Sequence, residues 1–160
     1  MEKQAQISAN LYYDERSAGG IVFKIENGKT LFLLIKTFAS KNKRTIYKFP
    51  KGHLKDNEVL KQAALREVEE EGRIKSAIET KIGSNDYIIW DKLQKRKIIK
   101  KVTFFLMKYV GQSSLKYYDS EIVLGREWFI FEEAKNMLAF DSEKVLLQKA
   151  KWKLDELIKK

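Results

Sequence analysis

Two stretches of this chain put acidic side chains at spacings that can do chemistry. Gly52-His-Leu-Lys-Asp-Asn-Glu58 is followed, seven residues on, by Arg66-Glu-Val-Glu-Glu-Glu-Gly72. A helix advances about 100° per residue, so Glu67, Glu70 and Glu71 project into one sector of its circumference. Like charges at i,i+3 and i,i+4 repel one another, which makes the arrangement unfavourable unless a cation neutralises it. Carboxylate oxygens are the hard ligands that magnesium favours, and a magnesium site typically keeps waters and takes substrate phosphates. The competing reading is a solvated acidic face on a surface helix. Against it, the chain carries 32 Lys+Arg and 22 Asp+Glu for a net charge of +10, yet gathers these glutamates on one helix. A turn of Pro50, Lys51 and Gly52 leads into that helix.

The elements that must position these residues follow from the apolar pattern. Ser17 to Ile25 reads as a strand, and Glu26-Asn-Gly-Lys29 carries the Asn-Gly signal of a tight hairpin. Thr30 to Phe38, mostly apolar, is the returning strand, buried on both faces. After a basic loop, Ala39 to Arg44, a short strand over Thr45 to Phe49 ends at Pro50. Asn57 to Gly72 has good helix formers and no proline or internal glycine, so it predicts a helix capped by Asp56 or Asn57. Tyr87 to Trp90 and Ile98 to Val110 predict strands joined by the basic turn Lys92 to Lys97, with Trp128 to Phe131 as the last strand. Two helices close the chain, Glu132 to Leu138 and Ser142 to Ile158. In the second, Leu146, Leu147, Ala150, Leu154, Leu157 and Ile158 recur at helical spacing, the mark of core packing. The order of elements predicts an α/β (α+β) sandwich, a mixed sheet flanked by helices. Residues 1–16 read as a polar arm and 17–160 as a single domain.

Composition narrows the chemistry further. The absence of cysteine excludes a disulfide framework, a zinc–thiolate site and a cysteine nucleophile, and fits a reducing cytoplasm. The first residues lack the basic-then-apolar layout of a secretory signal. Apolar stretches such as Val102 to Met107 are far too short to cross about 30 Å of hydrocarbon, so no membrane partner is expected. The surplus positive charge suits an anionic partner such as a polyphosphate or a nucleic acid, and equally a lysine-rich surface with no partner at all.

The acidic stretch resembles the signature of the Nudix hydrolases, G-x5-E-x7-R-E-U-x-E-E-x-G-U with U a bulky aliphatic; Gly52, Glu58, Arg66, Glu67, Val68, Glu70, Glu71 and Ile74 fall on its fixed positions. One position departs: the second glycine of the pattern falls on Arg73, one residue after Gly72. That glycine ends the helix in the family, so Gly72 is expected to take over the cap one residue early. The likeness extends to Ser17-Ala-Gly-Gly-Ile-Val, to Tyr47-Lys-Phe-Pro-Lys-Gly-His53 and to Glu127-Trp-Phe-Ile-Phe-Glu-Glu-Ala134. Phe49-Pro-Lys-Gly-His53, Lys100 and Leu138-Ala-Phe140 are similar to the branch that splits dinucleoside polyphosphates such as diadenosine tetraphosphate.

The resemblance implies a Nudix-like α/β/α sandwich and metal-dependent hydrolysis of a pyrophosphate bond in a small nucleotide-like substrate. Glu67, Glu70, Glu71 and the backbone carbonyl of Gly52 would hold magnesium, with manganese as the alternative. Arg66 would orient the neighbouring carboxylates, and Glu58 would secure the loop–helix junction. The general base is Glu67 or Glu121, the latter in Tyr118-Asp-Ser-Glu121 and favoured to assist. Lys51, Lys100 and the Lys92 to Lys97 turn are candidate phosphate contacts, though the turn reads more readily as a solvated hairpin tip. His53 could hydrogen-bond a phosphate oxygen or sit exposed on its loop, and Tyr47 and Tyr87 could stack on a base or pack in the core. Two other readings compete: an enzyme acting on the 5′ end of RNA, and a non-catalytic nucleotide-binding module. The glutamate set argues against the second, and the lack of a recognisable RNA-binding motif ranks the first lower.

Overall fold

The computed structural model describes residues 14–39, 44–116 and 122–159. The elements are β1 (Glu15–Glu26), β2 (Lys29–Phe38), β3 (Thr45–Lys48), β4 (Lys51–His53), α1 (Leu60–Gly72), β5 (Ile74–Asp91), β6 (Arg96–Gln112), β7 (Gly125–Ile130), α2 (Phe131–Met137) and α3 (Asp141–Ile158). The strands form one mixed sheet in the order β3-β2-β1-β6-β5, with β4 on β1 and β7 on β2. β1 and β6 run parallel, Glu15 opposite Lys100 through Phe23 opposite Lys108. The remaining pairings are antiparallel.

Alternation along β1 explains the three layers. Side chains on a strand point to opposite faces in turn. Ala18 and Val22 join Leu33, Phe105 and Met107 beneath Ala63, Ala64 and Val68 of α1. Ile21 and Phe23 join Phe32, Leu34, Phe104 and Leu106 against Leu146, Leu147, Ala150 and Leu154 of α3. The helical stripe expected of the last helix is therefore core packing. At about 2–5 kcal/mol per buried leucine truncated to alanine, these contacts fix α3 to the sheet. Gly20 lets α1 approach β1 closely: a Cβ there would strike the sulfur of Met107 and Cγ2 of Val68. No helix among the described residues is long and apolar enough to cross a membrane.

Several expectations need correction. The helix bearing the glutamates starts at Leu60 rather than Asn57, preceded by Val59 in an extended conformation. Asn57 is left-handed (φ 65), and Glu58 folds back to accept the Lys55 N–H at 2.9 Å. Neither Asp56 nor Asn57 caps the helix; the Gln62 side chain instead accepts the Val59 N–H at 3.1 Å. Gly72 does not replace the missing glycine. It is the last helical residue, and Arg73 itself takes the left-handed position (φ 56, ψ 34), donating its N–H to Glu69 O. Gly72 is small for a different reason, since a Cβ would come within 3.0 Å of Leu33 Cδ2.

The strand expected over Tyr87 to Trp90 is the far end of β5, which begins at Ile74. β5 lies at the sheet edge; buried and exposed positions alternate from Ile74 to Ile82, but Ser76 and Thr80 occupy two of the five inward positions and dilute the apolar period that would have revealed it. β7 starts at Gly125, and β4, not foreseen, pairs Lys51–His53 with Ser17–Gly19. β1 begins at Glu15, two residues into the expected arm, whose residues 1–13 lie outside the described part.

Candidate active site

β4 and α1 bring the two halves of the acidic pattern face to face. Gly52, opposite Ala18 in the β1–β4 ladder, sits so close to α1 that a Cβ on it would overlap the Glu67 carboxylate. One turn on, Glu71 accepts the Lys51 backbone N–H at 2.8 Å. The three glutamates of the predicted sector are all buried, Glu71 to 1% exposure, despite their charge. Glu69, outside that sector, points elsewhere: Ser113 Oγ donates to it at 2.7 Å.

Arg66 ties the cluster together. Its Nε and one terminal nitrogen donate to the two oxygens of Glu58, each at 2.8 Å. The other terminal nitrogen donates to Glu67 at 2.7 Å and to Glu70 at 3.3 Å, while the one bound to Glu58 also donates to His53 O at 2.9 Å. A planar guanidinium can serve several carboxylates at once where an ammonium cannot. These bonds to Arg66 hold Glu58 down at about 2, despite partial burial. Glu67 moves the opposite way: burial raises it, and Arg66 only partly offsets that while Glu70 adds repulsion. Arg66 is itself raised above its usual value, mainly by Glu58. The expected roles of Arg66 as orienting group and Glu58 as junction brace match this geometry.

Among the described residues no three acidic or histidine side chains are drawn around one point. Glu67 and Glu70 turn onto Arg66, and Glu71 onto Lys51 N–H. The donor set nevertheless fits a magnesium ion. Three hard carboxylates within one helical turn are buried together, one is held above its ordinary pKa, and the backbone of Gly52 abuts them. Burying such a group without a countercharge is costly; Arg66 supplies part of that charge, and cation binding has to compete with it.

The other candidates are scattered around this centre. His53 is exposed, its Nδ1 3.2 Å from Ser17 Oγ. Lys100 lies opposite both Glu15 and Tyr87 in the sheet and pairs with Glu15 at 2.9 Å. Tyr47 is half-buried, edge-on to Phe129 at 5.5 Å, and donates its hydroxyl to Glu127 at 2.6 Å, which raises its pKa. It also lines an open cavity of about 550 Å³ with Lys36, Arg44, Thr45, Ile46, Met137 and Ala139. Glu121 lies outside the described residues.

Two groups near the centre were not anticipated. Arg126 of β7 donates Nε to the backbone oxygen of Glu71 at 2.6 Å. Glu143 of α3 is 1% exposed and accepts the Phe49 N–H at 3.3 Å. Glu143 had a visible signal: it precedes Leu146 and Leu147 by three and four residues, placing a charge on an otherwise apolar stripe.

Comparison with known proteins agrees with this arrangement. The sequence profile described as NUDIX domain matches residues 15–149. A candidate mutator protein of Mycobacterium tuberculosis, MutT4, is 31% identical over 148 residues, covering 91% of this chain and 56% of its own length. The chain thus spans about half the length of that curated relative. A crystal structure of C. elegans Ap4A hydrolase superposes with a TM-score of 0.63 at 24% identity, over 88% of this chain and 98% of that one. The NUDIX domain of Shewanella oneidensis NrtR, crystallised with ADP ribose, gives 0.62 at 17% identity, over 94% and 98%. At such identities the structural likeness establishes the fold alone. The sequence profile, which spans β1 into α3 and takes in the buried glutamates of α1, shows that this chain belongs to the Nudix family.

Proposed function

We propose that this chain is a magnesium-dependent hydrolase of pyrophosphate bonds in nucleotide-like substrates. The observation that carries the reading is the burial of Glu67, Glu70 and Glu71 on one face of α1, against Gly52 and tied by Arg66. A magnesium ion held by these carboxylates and the Gly52 carbonyl would neutralise phosphate oxygens and acidify a bound water. The chain's own residues supply the rest. Arg66 presents Glu67 and Glu70 in fixed orientation. In this proposal the proton of the attacking water goes to Glu67 or to Glu121, the latter as the assisting base. Lys51, His53 and Lys100 are the phosphate contacts of this proposal, and Tyr47 and Tyr87 its base-stacking surfaces.

Within that class the preferred substrate is a dinucleoside polyphosphate, with diadenosine tetraphosphate giving ATP and AMP. Phe49-Pro-Lys-Gly-His53 and the two tyrosines, one for each base, support this choice. A second reading, hydrolysis of nucleoside triphosphates in pool cleaning, is favoured by the relative named as a mutator protein. The test is a magnesium-dependent panel of dinucleoside polyphosphates, ordinary and oxidised nucleoside triphosphates and triphosphorylated RNA, with products resolved by chromatography. Glu70→Gln and Glu71→Gln should each lower turnover at least ~100-fold, the scale of losing electrostatic stabilisation at a reacting centre. Full activity in both would reject the glutamate centre. Faster cleavage of a triphosphate or of RNA would move the substrate assignment to that class.

A further inference from the structure

The segment from Phe49 through Pro50 to Lys51, the first residue of β4, is a strap whose backbone groups are each held by a different element. Glu143 of α3 accepts the Phe49 N–H at 3.3 Å. Gly20 of β1 donates its N–H to Pro50 O at 3.1 Å. Glu71 of α1 accepts the Lys51 N–H at 2.8 Å. The next residue is Gly52, pressed against the Glu67 carboxylate. The strap therefore joins a carboxylate on one face of the sheet to the glutamate centre on the other.

Nothing in the packing of α3 requires a carboxylate at position 143. Its neighbours on the helix stripe are Leu146, Leu147, Ala150 and Leu154, all apolar and buried. Glu143 does not cap α3 with its side chain; its own N–H goes to Phe140 O at 3.0 Å. Burial pushes the carboxyl up to about 7, and only the Phe49 N–H and the charges of Lys51 and Lys48 pull against that. A group kept in so unfavourable a place needs a function that an apolar residue could not perform. Accepting the Phe49 N–H is that function, since a buried amide without a partner is itself destabilising.

We propose that Glu143 is a positioning residue for the glutamate centre. By fixing the Phe49 end of the strap it sets where the Lys51 N–H meets Glu71 and where the Gly52 carbonyl faces the metal. The proposal rests on the reading of that centre as a metal site. Residues that orient metal ligands typically alter metal affinity by about 10–100-fold when removed.

Three substitutions in the full chain separate the possibilities. Glu143→Leu removes the acceptor and fills the space, Glu143→Asp keeps the charge but retracts the acceptor, and Glu143→Gln keeps the acceptor without the charge. Manganese binding is measured directly by electron paramagnetic resonance, with magnesium-dependent kcat and KM for the best substrate of the panel. Hydrogen exchange is followed at the Phe49 and Lys51 amides. Glu143→Leu and Glu143→Asp should weaken manganese binding about tenfold or more and speed exchange at both amides. Substrate KM at saturating metal should change less than manganese affinity, because Lys51 is the only proposed phosphate contact within the strap. Glu143→Gln should bind manganese as the parent protein does. If Glu143→Leu does not fold, Glu143→Asp carries the test. Parent-like manganese binding in a folded Leu or Asp variant overturns the proposal, and so does a Gln variant as impaired as the Leu one. Glu70→Gln, run alongside, separates the two readings: if it abolishes binding while Glu143→Leu does not, the centre stands and only the positioning role falls. If it too leaves binding intact, both fall.

Discussion

Replacing Glu143 with glutamine should change the way stability depends on pH, by an amount the burial of this group sets. In the folded chain the carboxyl is pushed up to about 7 from an ordinary 4.5. Each pKa unit corresponds to about 1.36 kcal/mol, so ionising Glu143 within the fold costs about 3 kcal/mol more than ionising it in the unfolded chain. Below the ordinary value the group is protonated in both states and carries no penalty. As pH rises, the unfolded chain releases the proton first while the folded chain still holds it, so stability declines. The decline is complete once pH has passed about 7. Glutamine does not titrate. Its carboxamide N–H2 lacks an evident acceptor, at a cost of about 1 kcal/mol, but that cost is the same at every pH. The difference in unfolding free energy between Glu143→Gln and the parent should therefore grow by about 3 kcal/mol, in favour of glutamine, between about pH 4 and about pH 8. Urea unfolding followed by circular dichroism across that range measures it, and the other carboxylates cancel because both proteins share them. A difference that stays flat would show that Glu143 titrates normally and is not desolvated as described.

Two further outcomes follow from single contacts. Gly52→Ala should lower kcat at least ~100-fold with little change in melting temperature, because its new Cβ displaces the mobile end of Glu67 and not the backbone; retained activity would mean that Glu67 is not needed where it stands. Arg73→Gly should raise stability by up to ~1 kcal/mol, by relieving a left-handed residue that bears a Cβ, and leave kcat/KM within about twofold; a tenfold loss of kcat/KM would instead make Arg73 a substrate contact.

What could be read from the chain depended on how local the physics was. Glu67, Glu70 and Glu71 share a face because helical geometry fixes that from spacing alone, whereas Arg66 and Glu58 were singled out only by the resemblance of the acidic stretch to the Nudix signature. The cap was not legible, because glycine at 72 has two physical uses and composition does not distinguish them. Here it makes room for Leu33, while Arg73 accepts the strained conformation. The start of α1 was misread because Asp56 and Asn57 are good caps in isolation, whereas the fold commits this stretch to the turn that delivers Glu58 to Arg66. Most of β5 was missed because Ser76 and Thr80 share its inward face with Ile74, Ile78 and Ile82, so the two-residue period is there but only weakly apolar. The charge of Glu143 on an apolar stripe was visible, but its partner was not: no local pattern contains the crossing of α3 behind the sheet beside Phe49.

The parallel pairing of β1 with β6 also has a kinetic consequence. More than half of the chain separates Glu15 from its partner Lys100, and β4, α1 and every glutamate of the centre lie within that span. Long-range parallel pairings form slowly, because the loop must close before its contacts reward it. During synthesis, the acidic helix therefore leaves the ribosome well before the strand that completes its floor. Phe105 and Met107, on which Val68 and Gly20 rest, are still to come. Until then the glutamates remain an ordinary hydrated acidic run, so the proposed metal site can form only with the closing of β6.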